Sequence, residues 1–572
     1  MAKVQKAMRM ALKGAKLMVT KGPRVTWQLV KEKKTQKQAY QQMATLHLIS
    51  PEERARQKQA QFKNPVVISV LTPLYNTPER FLTELIDSLQ AQTYPNWELC
   101  LADASDDEHG YVGQICRERA EKDPRIVYRH LEKNGGISRN TNACIQLASG
   151  AYFGLLDHDD VLHESALYEV MKAIDEQGAD FIYTDEVKFD GDPAKANDFN
   201  FKPDFGKDEL RVHNYICHFT CYSRALLETL EEAYRPAFDG SQDHDIVLRL
   251  TERAQRIVHI PKVLYYWRLH GNSVSLNLGS KSYAVDAAIR AVKEQLERAG
   301  EPGTVESNLP YLTNYRIRYE MGTPRISVLL YDAETKAQAQ RCLEGLCAHM
   351  AYRPLEILCY DQAAPQCDQE EITIKTIARQ KTLGESLDAM AQAATGEMLA
   401  LYSAFLTPEE PDWICEMAMF AQRADICAVG GKCYDEKDNV LCAGVALDKD
   451  EEEKLKALCR GTHRDQQGFE AMLRYVRNVT AVHPECMMIR RQTWQALGGF
   501  ACAPAGYEAV DLCLRGEEKG LSNVWTPYSA HKRNGHGKQA DKHIQEFAGK
   551  WSERLAHDDA YYNPNLKKLG LV

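Results

Sequence analysis

The sequence predicts an α/β protein whose mostly parallel sheet is built twice, behind a basic helical segment. Three observations predict it. From residue 65 onward, short β-branched runs alternate with helical patterns, the arrangement of βαβ units feeding a parallel sheet. Past residue 320 the alternation begins again. The apolar run 151–156 opens directly onto three carboxylates, Asp157, Asp159 and Asp160, at the strand end where open α/β sheets bind ligands.

A chain of 572 residues is too long for one core, so two or three domains are expected. The hydrophobic share of 44% and charged share of 26% are those of a soluble globular protein. No apolar run reaches the ~18 residues of a membrane span, and the N-terminus lacks the apolar core of a signal peptide. The 17 cysteines are scattered rather than paired as C-x₂-C, which reads as reduced thiols in a cytosolic compartment. The net charge of −9 conceals an asymmetry. Residues 1–62 hold fourteen Lys and Arg against Glu32, Glu52 and Glu53, a net of +11 that leaves the remainder at −20. A basic tail on an acidic body points to an anionic partner, membrane surface or nucleic acid. With no recognition motif and no interleaving of basic and aromatic residues, nucleic acid is not expected.

Residues 3–21 set Val4, Ala7, Met8, Ala11, Leu12, Ala15, Met18 and Val19 on one helical face and Lys3, Lys6, Arg9, Lys13 and Lys16 on the other. Such a helix either lies in an anionic lipid interface or packs its apolar face on the body or a partner. Gly22-Pro23 stops it, and a polar, Lys/Gln-rich second helix is expected to about residue 61.

The run 65–73 is nearly all β-branched, the mark of a strand covered on both faces. Then follow helix 79–92, strand 97–102 ending at Asp103, helix 111–122, strand 125–130, helix 138–148, strand 151–156, helix 163–177 and strand 180–183. Pro73, Asp103 and Asp157 all fall at strand C-termini, and so at one rim. Asp157, Asp159 and Asp160 repel one another unless a cation is shared, and hard oxygen ligands suit Mg²⁺ or Mn²⁺ with phosphate oxygens; the alternative is an acidic surface turn. A helix opens near 240 with Asp243 and Asp245 in its first turn, where acids also serve as caps or dipole partners. Strand 263–268 leads to His270, helix 281–299 follows, and 301–303 reads as a linker.

These residues carry a resemblance. Val70-Leu71-Thr72-Pro73-Leu74-Tyr75-Asn76, Leu101-Ala102-Asp103-Ala104-Ser105-Asp106, Asn134-Gly135-Gly136-Ile137-Ser138-Arg139-Asn140, Asp157-His158-Asp159-Asp160, Gln242-Asp243-His244-Asp245 and Trp267-Arg268-Leu269-His270 follow one another as in inverting family 2 glycosyltransferases. The span 65–275 resembles that family and its GT-A, Rossmann-like fold. The resemblance implies that Pro73, Tyr75 and Asn76 line the nucleotide pocket, Asp103 reads the pyrimidine imide N–H, Arg139 approaches the nucleotide and Asp157 contacts the ribose. It makes Asp159 and His270 the metal ligands and Asp243 the general base, with Asp245 structural. Asp160, Gln242, Trp267 and Arg268 would surround the sugar. The family often has two adjacent acids where this chain has Ala102-Asp103. No processive Q-x-x-R-W signature is present, so one sugar per encounter is implied.

The second half echoes the first without its acids. Residues 324–332 echo 66–73, and 355–361 echo 97–103. Pairing Thr395-Gly396 with Ser149-Gly150 sets Glu385 opposite Arg139, and Ser403, Phe405 and Leu406 opposite Asp157, Asp159 and Asp160. Residues 506–515 match 240–249, which puts Ala509 at the place of Asp243 while Asp511 and Arg515 keep theirs. Phe405 cannot bind Mg²⁺ and Ala509 cannot take a proton. This half would bind acceptor glycan, hold a partner or supply a dimer surface, and Asp511 is expected to be a helix-turn acid worth ~0.3–1 kcal/mol.

The expected organisation is therefore a basic helical extension over 1–62, a catalytic domain over 63–280, a helix and linker over 281–320, and a degenerate domain over 321–572. The expected activity is metal-dependent, inverting, non-processive transfer from a UDP-hexose or dTDP-rhamnose donor to a lipid-linked or cell-surface glycan. The whole chain resembles tandem-domain enzymes of O-antigen and cell-wall polysaccharide synthesis. The protein would sit on the cytoplasmic face of the cell membrane, held by residues 1–62, with a homo-oligomer allowed. The rival reading is a non-catalytic scaffold or glycan-binding protein.

Overall fold

The β-branched run becomes β1 (Ile68–Leu74), which is buried along its whole length. The structure, a computed structural model, describes residues 2–270, 282–308, 311–349, 352–535 and 542–570; side chains of 2–17, 20, 21, 24, 42 and 311 lie outside the description. The described chain divides into two units, 37–317 and 1–36 with 318–572.

In the first unit β1 is followed by β2 (Trp97–Asp103), β3 (Ile126–His130), β4 (Tyr152–Leu155), β5 (Val161–Leu162), β6 (Phe181–Phe189), β7 (Asp198–Asn200), β8 (Thr220–Ser223) and β9 (Ile257–Arg268). They form one sheet in the order β3-β2-β1-β4-β8-β6-β9-β5, with β7 on β6. β1 to β4 run parallel, and β8 lies antiparallel between β4 and β6. Helix Glu79–Gln90 buries Leu82, Leu85, Ile86 and Leu89, an i, i+3, i+4, i+7 stripe laid on the sheet. With Ile68, Val70, Leu99 and Leu101 these side chains make the core, each worth ~1.5–3 kcal/mol of burial. The expected helix from 163 begins at Ala166, because Val161 and Leu162 first pair with β9.

The N-terminal segment departs from expectation at its second helix. Gly22 is non-helical, with φ 81°, so it does interrupt the first helix. The following helix ends at Gln42, and a separate helix, Pro51–Gln59, is started by Ser50, whose hydroxyl accepts from Glu53 N. Of the apolar face expected over residues 3–21, Val4 to Ala15 lie outside the described side chains, while Met18 and Val19 are exposed. Residues 37–59 pack into the first unit: Tyr40 Oη donates to Phe199 O (2.8 Å), His47 Nδ1 lies 2.9 Å from Tyr266 Oη, and Arg54 forks onto Glu164.

Helix Ser282–Ala299 packs on helix Gln242–Thr251 through Ser241 Oγ to Ala284 O (2.7 Å) and Arg298 to Glu252 (2.8 Å). The expected linker at 301–303 is the start of a hairpin, β10 (Gly303–Asn308) and β11 (Tyr311–Tyr319).

The second unit contains β12 (Ile326–Tyr331), β13 (Leu355–Tyr360), β14 (Ile372–Ile377), β15 (Met398–Ser403), β16 (Leu406–Pro408), β17 (Ile426–Tyr434), β18 (Val440–Cys442), β19 (Val445–Leu447), β20 (Leu455–Ala457), β21 (Arg477–Val479), β22 (Cys486–Arg490) and β23 (Ser522–Arg533). Its main sheet runs β14-β13-β12-β15-β22-β17-β23-β16. Place for place this is the order of the first sheet, so the duplication read from sequence is a duplication of topology.

The two units also share their buried polar clips. In the first, Ser69 Oγ donates to Glu98 Oε1 (2.6 Å), Ser149 N donates to the same oxygen, and Gly150 N donates to Ser69 Oγ (2.9 Å). In the second, Ser327 Oγ and Thr395 N donate to Glu356 Oε2, and Gly396 N donates to Ser327 Oγ (2.9 Å). A buried carboxylate is tolerated because each oxygen is bonded. A Cβ on Gly150 or Gly396 would stand 2.5 Å from the serine Oγ. Gly150→Ala and Gly396→Ala should each destabilise the chain by ~1–3 kcal/mol through overpacking; chemical denaturation measures this, and an unchanged midpoint for both would refute the shared clip.

The second clip pairs an acid with an arginine one helical turn on. Asp245 accepts from Arg249 Nη2 (2.7 Å) and from Arg235, and Asp511 accepts from Arg515 Nε (2.7 Å) and Trp551 Nε1 (2.9 Å). Asp511, expected as a helix-turn acid worth ~0.3–1 kcal/mol, is fully buried. Loss of its charge would strand Arg515, a larger matter than a helix-dipole contact.

Candidate active site

The C-terminal ends of β1, β2, β4 and β9 meet at one rim of the first unit. Register pairs Leu74 with Asp103, so the loops after β1 and β2 leave side by side. Asn76, at φ 49°, ties them: its N donates to Ser105 Oγ (2.9 Å) and its Nδ2 to Asp106 Oδ2 (2.8 Å). Pro73 lies inside β1, and Tyr75 is 45% exposed at the rim. Asp103 is buried; its Oδ1 accepts from Ser105 N (2.9 Å) and its Oδ2 from Tyr128 Oη (3.0 Å). A carboxylate has about four lone-pair sites, which leaves room for one more donor.

The Asn134-Gly135-Gly136 turn opens helix Ile137–Leu147 and presents Arg139 to solvent. Gly136 (φ 89°) is required twice over, because a Cβ there would meet Asp239 Oδ2 at 2.6 Å. Asp239 accepts from Ser138 Oγ (2.5 Å) and so links this helix to the segment carrying Asp243.

Asp157, Asp159 and Asp160 offer oxygens that all lie within 4.8 Å of one another. They are not equivalent. Asp160 is buried: Oδ2 accepts from Tyr265 Oη (2.6 Å) and Oδ1 from Arg268 N (2.7 Å). Burial first, then the charges of Asp159 and Asp157, push its pKa well above the usual carboxylate range. Both oxygens being committed, Asp160 anchors the loop to β9 rather than lining a sugar pocket as expected. Arg268 is corrected likewise. Its guanidinium lies between Phe81 (4.4 Å) and Phe189 (4.6 Å), pairs with Glu84 (2.6 Å) and donates to Asp159 O (2.5 Å). It holds the acid loop from beneath. Trp267, alternating with it along β9, is partly exposed and packs on His218 at 5.1 Å.

Asp159 Oδ2 lies 2.6 Å from His270 Nε2, which brings the two expected metal ligands into direct contact. Two partly exposed carboxylates, Asp157 and Asp159, with an imidazole beside them are a donor set that fits Mg²⁺ or Mn²⁺. A cation would also relieve the repulsion that raises Asp160.

Asp243 sits partly exposed in the first turn of helix Gln242–Thr251, where Oδ2 accepts from Asn214 Nδ2 (2.9 Å). Gln242 turns back on its own cap, Oε1 accepting from Gly240 N (2.9 Å).

Sequence reading missed the segment 213–219. There His218 lies between Asp157 (3.5 Å) and Glu186 (3.3 Å), stacked on Tyr265 at 4.9 Å. Burial alone would lower His218, but these two carboxylates outweigh it and raise its pKa well above that of ordinary imidazole. Asp157 is correspondingly lowered, the His218 contact overcoming the effect of burial. Lys202 and Glu186, both buried, pair beneath this segment at 3.3 Å. No short motif marks these residues, which read His213-Asn214-Tyr215-Ile216-Cys217-His218 ahead of β8.

In the second unit the matching positions are silent. Ser403 Oγ donates to Asp332 Oδ2 (2.7 Å), Phe405 stands beside Gly535, and Ala509 is buried.

Residues 69–231 match the family model described as Glycosyl transferase family 2. The uncharacterized protein y4gI of Sinorhizobium fredii is 33% identical over 540 residues, covering 88% of this chain and 58% of that one. The O-antigen biosynthesis protein RfbC of Myxococcus xanthus is 30% identical over 543 residues, covering 90% of this chain and 41% of that one. The chain thus spans about half the length of the curated relatives it matches. A crystal structure of S. aureus TarS 1–349 aligns with 40% of this chain and 65% of that one at 21% identity, with a TM-score of 0.33.

Proposed function

We propose that the chain, whose residues 69–231 match the Glycosyl transferase family 2 model, is a metal-dependent, inverting transferase adding one sugar at a time to a bacterial surface polysaccharide. The observation that carries this is the contrast between the duplicated units. The first keeps the Asp157 and Asp159 cluster, His270 beside Asp159, and Asp243, and the second has Ser403, Phe405 and Ala509 at the places that match Asp157, Asp159 and Asp243.

In this reading Tyr75, Asn76, Asp103 and Arg139 receive the nucleotide, and Asp157 the ribose. Asp159 and His270, with Asp157 beside them, would hold Mg²⁺ or Mn²⁺, which when bound neutralises diphosphate charge. Asp243 takes the acceptor hydroxyl's proton on the face opposite the leaving diphosphate, so that displacement inverts the anomeric centre. Trp267, at the rim, and Gln242 lie where sugar would be received. The donor is a UDP-hexose or dTDP-rhamnose; the relative named for O-antigen biosynthesis supports a lipid-linked or surface glycan as acceptor. The second unit takes no part in proton or metal chemistry and serves acceptor binding or self-association. A thermal-shift screen of nucleotide sugars with Mn²⁺ tests the reading, since a bound donor stabilises by mass action. No stabilisation by any nucleotide sugar would sink it.

The protein works on the cytoplasmic face of the membrane, docked through its N-terminal segment. Among the described residues no helix is long and apolar enough to cross a membrane. Met18 (58%), Val19 (87%), Trp27 (64%) and Val30 (58%) are exposed, and Lys31 Nζ lies 5.4 Å over the Trp27 ring. An interfacial tryptophan beside lysines suits an anionic bilayer. Because residues 37–59 pack into the first unit, deleting 1–62 would confound docking with folding; substitution is the cleaner test. Replacing Lys31, Lys33 and Lys34 by Gln should weaken sedimentation with anionic liposomes by roughly 10²-fold at low salt, at ~1 kcal/mol per charge. Equal sedimentation would refute lipid docking.

A further inference from the structure

Asn214 is the one residue among those described that hydrogen-bonds Asp243. The other carboxamide atom, Oδ1, is buried and has no hydrogen-bond partner among the described residues. The orientation of the amide therefore rests on Asp243 alone, and only the NH₂ end can face a carboxylate.

The backbone around Asn214 is held from below. Lys202 Nζ donates to Ile216 O (2.7 Å) and to His218 O, while Glu186 balances its charge at 3.3 Å; both side chains are 1% exposed. Tyr215 Oη accepts from Gly206 N (2.9 Å). Cys217, at φ 30°, donates its thiol to Asn214 O (3.0 Å). Within five residues one segment therefore carries Asn214 to Asp243 and His218 to Asp157. A buried ion pair spent on two loop carbonyls is costly unless it fixes something, because both ions have left water.

We propose that Asn214 is a positioning residue for sugar transfer, its carboxamide orienting the Asp243 carboxylate, and that the Lys202–Glu186 pair fixes it in register with Asp157. The proposal rests on the reading of Asp243 as general base. Asn214 need not touch substrate; it donates to the charged form of the base and leaves Oδ1 of Asp243 for the acceptor proton.

The test uses the full chain with Mn²⁺ and follows release of UDP from a UDP-hexose or dTDP from dTDP-rhamnose, whichever stabilises the protein in the thermal-shift screen. Asn214→Ala should lower kcat roughly 10–100-fold with the donor KM within about twofold. Asn214→Asp, of the same size, should lose more at neutral pH by setting two carboxylates together. UDP or dTDP affinity, measured by calorimetry, should match wild type in both. A purely structural role would instead lower the fraction of protein that binds UDP or dTDP in proportion to the loss of kcat, and that result, or an unchanged kcat in Asn214→Asp, overturns the proposal. Asp243→Asn run alongside separates the two levels: if it loses turnover while both Asn214 variants keep theirs, the base stands and the positioning role falls. If Asp243→Asn keeps turnover, both fall.

Discussion

Asp243→Asn is expected to abolish sugar transfer, with turnover falling ~10²–10⁴-fold, the usual cost of a lost general base. The substitution is nearly isosteric, and an asparagine can turn its carbonyl to the Asn214 Nδ2 that now lies 2.9 Å from Asp243. The helix keeps its buried clip, because Asp245 and Arg249 carry that contact. Folding and nucleotide binding should therefore survive while the only change is a group that cannot take a proton. Calorimetric titration with UDP and dTDP, beside a turnover assay, separates the two effects. Wild-type turnover with acceptor present would remove Asp243 from the mechanism.

Asp159→Ala is expected to remove the metal-dependent part of nucleotide binding. Asp159 gives one of the two partly exposed carboxylates of the cluster, and its Oδ2 lies 2.6 Å from His270 Nε2. Without it the cluster retains Asp157, which is already engaged by His218, and Asp160, which is sealed against Tyr265 and Arg268. Titrating UDP or dTDP with and without Mn²⁺ should show a metal enhancement in wild type and none in the variant. The metal-free variant should be no less stable than wild type, because the like charge that helps raise Asp160 has gone. A preserved metal enhancement would show that Asp159 is not a ligand.

Much of this chain was legible in one dimension. The parallel half of the sheet followed from β-branched runs ended by turn residues, since a strand covered on both faces has no polar face to display. The duplication was legible because the buried Ser69–Glu98–Gly150 clip and its Ser327–Glu356–Gly396 copy are retained in sequence as well as in space. The acids at 157–160 marked the rim because charge clusters are conspicuous in any sequence. What the sequence could not sort was their roles. Asp160 and Asp159 are neighbours in sequence, yet one is sealed by Tyr265 and the other faces His270, a hundred residues away.

By itself, then, the sequence determined the α/β class, the repeat, the rim that carries the acids and the loss of those acids in the second copy. Each is written in local composition, as periodicity or as charge at a strand end. Only the tertiary structure decided that Arg268 and Asp160 hold the acid loop, that Asp511 is buried, and that Asn214 meets Asp243 and His218 meets Asp157. The reason is physical: a hydrogen-bond partner is set by which strands lie side by side, and β8, β6 and β9 meet here only through crossovers. An asparagine and a histidine in an irregular segment have no pattern until Lys202 and Glu186, folded beneath them, give the segment its shape.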